Sequence, residues 1–114
     1  IEDKETTFDL ASFGMIGLES CFGVVYKVLV IIEKAVSLED LIKLLTSNPR
    51  DIMGFDGDLF QIGKSAEITV LNPETEWTFN IDDVKSKSIN SPYFGEILNG
   101  KVEMTISCGQ IAYV

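Results

Sequence analysis

At 114 residues and 46% hydrophobic content, the chain is long enough for one ordinary domain with a core of its own. Its net charge of −9 and its nine scattered Lys and Arg residues exclude a phosphate-tracking surface, so neither nucleic acid nor an anionic membrane is an expected partner. Histidine is absent, which removes Ser-His-Asp and Cys-His catalysis and any imidazole metal ligand from this chain.

Ile1–Ser12 (IEDKETTFDLAS) is polar, acidic and without period, and reads as a loop. Glu2, Asp3, Glu5 and Asp9 lack the spacing and the turn glycine of a calcium site, so they are expected to be solvated. The chain opens on Ile1 rather than methionine and shows no basic-then-apolar leader, so the expectation is a piece of a longer protein. Cys21 and Cys108 lie far apart and are expected to be buried free thiols rather than a disulfide, which suits a cytoplasmic location.

Met15–Val36 follows, with an apolar centre at Phe22–Ile32 that carries Lys27 as its one charge. Its β-branched content permits a strand, but its length and its polar bracket of Glu19 and Glu33-Lys34 favour a helix. It is too short and too interrupted to span a membrane. Being apolar on every side, such a helix must be covered nearly all round, more than this chain alone is expected to supply. Ser37 and Asp40 cap and charge the start of a second helix, whose apolar stripe is Leu38, Leu41, Ile42, Leu44 and Leu45. Ser47-Asn48-Pro49 opens a third, short helix that ends near Gly54.

From Gly57 the pattern changes to strands. Leu59–Ile62 reads as a small strand and Ala66–Leu71 as a half-buried one, stopped by Asn72-Pro73. Glu76–Phe79 reads as another short strand, with Trp77 a core or inter-sheet anchor. Asn80–Gly100 is expected to be mostly irregular. Lys101–Ser107 then alternates, Val102, Met104 and Ile106 on one face, and turns through Cys108-Gly109-Gln110 into a last strand, Ile111–Val114.

Four stretches together resemble the dihydroorotase family of cyclic amidohydrolases. SFGMIGLES (Ser12–Ser20) is similar to that family's PFG-x-x-GLET, and SLEDLIKLLTSNPRDIMGF (Ser37–Phe55) to its SLE-x-LV-x-LLS-x-NPA-x-I-x-GL segment. GDLFQIGKSAEITVLNP (Gly57–Pro73) is similar to a signature shared across amidohydrolases. SKSINSPYFGEILNGKV (Ser86–Val102) is similar to the more specific SKS-x-NTPF-x-G-x-x-L-x-GKV.

The resemblance implies an α+β piece of such an enzyme. Residues 1–54 would be the active-site loop and last helices of a (β/α)₈ barrel, and residues 55–114 the C-terminal share of a small β-sandwich. It implies that the parent is a zinc hydrolase interconverting N-carbamoyl-L-aspartate and L-dihydroorotate. The metal ligands and the catalytic aspartate would lie on earlier barrel strands, so this chain alone would hold no zinc and have no activity. It carries substrate contacts onto Phe13 and Gly14, through backbone groups that a missing Cβ lets approach; the alternative is Phe13 in a core and Gly14 in a turn. Ser12 replaces the family's usual proline. Alternatives for the parent are an allantoinase- or hydantoinase-type hydrolase, or a non-catalytic dihydroorotase-like subunit that partners aspartate carbamoyltransferase; a homodimer is a further possible assembly.

Overall fold

The computed structural model describes residues 5–11, 14–57 and 60–114. Three α-helical segments precede a three-stranded antiparallel sheet, so the chain is α+β: α1 (Cys21–Val25), α2 (Leu38–Leu45), α3 (Ser47–Met53), β1 (Ile68–Thr78), β2 (Ile97–Ser107) and β3 (Gln110–Tyr113). The sheet order is β1-β2-β3. Among the described residues no helix is long and apolar enough to cross a membrane.

The expected Met15–Val36 helix is shorter than its apolar pattern. Its first hydrogen bonds run from Cys21 N–H to the Gly17 carbonyl (2.7 Å) and from Val24 N–H to that of Ser20 (2.9 Å). Met15 and Ile16 lie outside it because the Ile16 N–H donates to the Asn90 carbonyl instead (3.2 Å). From Tyr26 to Ile32 the helix widens into π turns, and Glu33 N–H reaches back five residues to Val28 (2.9 Å). Lys34, at φ +51°, ends it. Lys27, the charge inside the apolar run, donates through Nζ to the Ile97 carbonyl (2.5 Å) and ties this helix to the start of β2.

The described residues do not cover that helix all round, in line with the expectation that this chain alone would not. Phe22 and Gly23 are buried, whereas Ile31 and Ile32 are 42% and 58% exposed. One face packs on β2, where Gly23 and Gly100 let helix and strand approach. A Cβ on Gly23 would lie 3.1 Å from Leu98 Cβ, and one on Gly100 would lie 2.7 Å from Phe22 Cε1. The described neighbours, β2 and α2, leave Val28, Ile31 and Ile32 exposed.

α2 forms as its sequence predicts. Ser37 Oγ accepts from Asp40 N–H (3.1 Å), Lys43 pairs with Glu39 (2.8 Å), and Leu41 is buried. α3 closes with two bonds characteristic of a left-handed stop: Phe55 N–H to Arg50 O (2.9 Å) and Gly54 N–H to Asp51 O (3.2 Å), with Gly54 at φ +69°.

Pro73 does not stop β1. The ladder pairs Asn72 with Lys101 and resumes at Glu76 with Asn99, leaving Pro73-Glu74-Thr75 opposite Gly100 alone. A bulge needs no ladder donor at this point, so the proline is accommodated inside one long strand. Asn72 Oδ1 steadies it by accepting from Glu74 N–H (3.2 Å). β2 begins at Ile97, within the stretch expected to be irregular, because Thr78, Trp77 and Glu76 pair with Ile97, Leu98 and Asn99. Asn80–Asp83 in that stretch forms a capped 3₁₀ turn.

Phe60–Ile62 is not a strand, and Leu59 lies outside the described residues. Its apolar pattern finds no ladder partner among the described residues, and Ile62 is fully exposed. Cys21 and Cys108 are free, as expected, but exposed rather than buried. Cys108 occupies the first position of the two-residue β2–β3 turn, where it and Gly109 take φ +51° and +73°, the signs of a type I′ hairpin. Glu67 braces this turn, accepting from Cys108 N–H (2.6 Å) and the Ser107 hydroxyl (3.0 Å); these bonds hold its carboxyl below the usual range.

The core is small: Phe22, Leu41, Phe79 and Leu98, with Ser20 buried beside them. Phe79 is fully buried, stacked on Phe94 at 5.1 Å and edge-on to Trp77 at 5.8 Å. Trp77, expected as a core or inter-sheet anchor, is instead half-buried at the edge of this core. Its Nε1 donates to the Gly100 carbonyl (3.0 Å), and Lys101 lies over its ring at 5.5 Å.

Candidate functional site

The fold brings together two segments whose bonded residues are 66 to 76 positions apart and on which the resemblance noted above chiefly rests. One is the Gly14–Ser20 loop before α1; the other is the Lys85–Asn90 connection before β2. They are joined at both ends. At the first, Asn90 Nδ2 donates to the Gly14 carbonyl (3.2 Å) and Ile16 N–H donates to the Asn90 carbonyl (3.2 Å). At the second, Glu19 Oε1 accepts from Lys85 N–H (3.0 Å) and Ser86 N–H (2.7 Å). A carboxylate gripping two consecutive amides is a strong local tie, because charged acceptors form shorter and stronger hydrogen bonds.

Desolvation pushes the Glu19 carboxyl up, but the Ser86 hydroxyl and the backbone amides, its own among them and with Ser86 and Lys85, outweigh it, so the net direction is downward. Glu19 is thus ionised in its clasp at neutral pH. Beside the clasp opens a cavity of about 310 Å³, walled by Leu18, Glu19, Trp77, Lys85, Lys101 and Tyr113 among others.

Gly14 sits at φ +61°, a backbone conformation L side chains rarely adopt. A Cβ built there meets nothing within 4 Å among the described residues, so the glycine is required by its backbone rather than by their packing. Phe13, the other expected substrate contact, lies outside the described residues, as do Glu2 and Asp3 of the acidic loop. Glu5 and Asp9 are exposed.

Among the described residues no three His, Cys, Asp or Glu side chains come together as metal ligands. The described residues thus supply no ligand set that fits a catalytic zinc.

Glu19, Ser88 and Asn90 were not singled out by sequence. Glu19 reads there as a polar bracket of the apolar run, yet it clasps a distant backbone. A signal does exist for the other partner: Ser86, Ser88 and Asn90 alternate in a segment with neither helical nor strand period, a composition suited to local side chain–backbone bonding.

No family model matches the chain. Among curated proteins it is 36% identical over 111 residues to a dihydroorotase of Elusimicrobium minutum, an alignment covering 97% of this chain and 26% of the relative. It is 38% identical over 112 residues to a dihydroorotase of Caldanaerobacter subterraneus, covering 98% and 26% respectively. With a dihydroorotase of Chlorobaculum tepidum it shares 42% identity over 100 residues, covering 87% of this chain and 22% of the relative. The chain thus spans about a quarter of the length of the curated relatives it matches.

Proposed function

We propose, on the premise that this chain is related to the dihydroorotases over nearly its whole length, that it is the substrate-loop and sandwich portion of a cyclic amide hydrolase. The reaction is the reversible ring opening of L-dihydroorotate to N-carbamoyl-L-aspartate. In this reading residues 1–54 supply the active-site loop and the last helices of a barrel, and residues 55–114 the C-terminal share of a β-sandwich. The zinc such an enzyme uses as a Lewis acid would be held by residues outside this chain. What the chain contributes is a loop whose Phe13-Gly14 backbone meets the substrate. The allantoinase- or hydantoinase-type and non-catalytic readings rest on no observation that favours them over this one.

A single observation carries the proposal. The two stretches on which the resemblance rests most specifically, Ser12–Ser20 and Ser86–Val102, are hydrogen-bonded to each other: Gly14 and Ile16 to Asn90, and Glu19 to Ser86 and the adjoining Lys85. The fold thus holds the Gly14 loop from behind while leaving the position of a Gly14 Cβ open among the described residues.

Gly14 provides the test. In the longer enzyme, Gly14→Asn is expected to raise KM for dihydroorotate about tenfold or more, because asparagine tolerates positive φ but fills the open space with a side chain. Gly14→Ala is expected to act in the same direction and to lose about 1–2 kcal/mol of stability to backbone strain as well. Steady-state kinetics read beside thermal unfolding decide it. A lowered melting temperature with KM unchanged in both variants would make Gly14 a turn glycine only.

A further inference from the structure

Asn90 makes two contacts to the Gly14 loop and one within its own segment. Its Nδ2 donates to the Gly14 carbonyl at 3.2 Å, and its own carbonyl accepts from Ile16 N–H at 3.2 Å. Its Oδ1 accepts from the Ser88 hydroxyl at 2.5 Å. An amide side chain can flip, exchanging its donor and acceptor ends. The Gly14 carbonyl can only accept, so the Nδ2 end faces it; the Ser88 hydroxyl then donates to Oδ1 and holds the side chain from its other end.

Holding the Gly14 carbonyl fixes more than one atom. The Gly14–Met15 peptide is planar and trans, so its N–H runs antiparallel to its C=O and points away from Asn90. The direction of that backbone donor is therefore set by a side chain from the other segment. Glycine at this position has little steric reason of its own to keep one conformation.

We propose that Asn90, oriented by Ser88, is a positioning residue that fixes the Gly14–Met15 peptide plane for substrate; this rests on the reading that the Gly14 loop meets substrate. Asn90 and Ser88 are both exposed, so they contribute little burial to the fold. The two segments stay docked without them, because Glu19 independently grips the Lys85 and Ser86 amides. Removing the Asn90 donor therefore takes away one tie on the Gly14–Met15 peptide without undocking the loop, so the cost falls on substrate binding more than on stability.

Asn90→Asp makes this measurable. It keeps the size of the side chain and an oxygen for Ser88, but turns an acceptor toward the Gly14 carbonyl. In the longer enzyme, N90D is expected to raise KM for dihydroorotate about tenfold, with kcat within about twofold and the melting temperature within about 2 °C. Ser88→Ala is expected to raise KM about threefold, and Ser88→Thr, which keeps the hydroxyl, to restore it. If Gly14→Asn raises KM while N90D does not, the positioning role is overturned and the substrate-loop reading stands. If neither variant moves KM, both fall. A loss of melting temperature in N90D that accompanies equal losses in kcat and KM would make the contact structural and overturn the proposal.

Discussion

Gly100→Ala is expected to destabilise the chain by about 2–5 kcal/mol, seen as a lowered urea midpoint with an unchanged slope. Two effects combine. Gly100 has φ +78°, where an L side chain costs about 1–2 kcal/mol. Its new methyl would also stand 2.7 Å from Phe22 Cε1 and 2.9 Å from Tyr26 Cδ1. Those rings cannot swing aside freely, because they stack at 5.5 Å with planes 5° apart and Phe22 is buried. Overpacking of this kind costs about 1–3 kcal/mol. Gly109→Ala is the control: φ there is +73°, but nothing lies within 4 Å of its Cβ, so only backbone strain remains, about 1–2 kcal/mol. Equal losses in the two variants would show that the close approach of α1 to β2 carries no weight.

The isolated 114-residue chain is expected to self-associate at micromolar concentration. Its accessible surface is 8363 Å² for 12.6 kDa, whereas a folded monomer of that mass exposes about 6,200 Å². Its radius of gyration of 16.3 Å likewise exceeds the roughly 13 Å of a compact chain of this length. Much of the surplus is apolar: Val28, Ile31 and Ile32 on the π turns, Leu44 and Leu45 on α2, and Ile52, Met53, Phe55 and Phe60 after it are all exposed. Burying about 500 Å² of such surface is worth about 12 kcal/mol gross at 25 cal/mol per Å², enough to compete with the cost of association. Sedimentation velocity should show species larger than a monomer, and an apolar dye should bind. A sharp monomer with no dye binding and cooperative unfolding would mean that the chain covers itself.

The parts of the fold legible in the sequence are those determined locally. Ser37 with Asp40 caps α2, Gly54 ends α3, and the Lys101–Val114 alternation closes on a two-residue turn, each within a few residues of its cause. Elements that depend on a distant partner are not legible there. Pro73 reads as a stop, yet the Asn72–Lys101 and Glu76–Asn99 pairs on either side carry β1 across it as a bulge. Ile97–Gly100 lacks a strand period of its own but is held in the ladder by Glu76–Thr78. Leu59–Ile62 fails in the opposite sense, as a strand-like pattern whose described residues pair with nothing. Gly14 can be put forward as a candidate because a motif surrounds it. The clasp behind it cannot, since Glu19 and Asn90 gain their meaning only when segments distant in the sequence meet.

The central claim is that these 114 residues do for a dihydroorotase what the matching quarter of its relatives does. It is tested most directly by exchange: this chain replaces the matching segment of the Elusimicrobium minutum dihydroorotase, and the purified chimera is assayed for dihydroorotate hydrolysis. The account predicts a folded chimera that turns over dihydroorotate and loses affinity for it on Gly14→Asn. A folded, metal-loaded chimera with no turnover would contradict it.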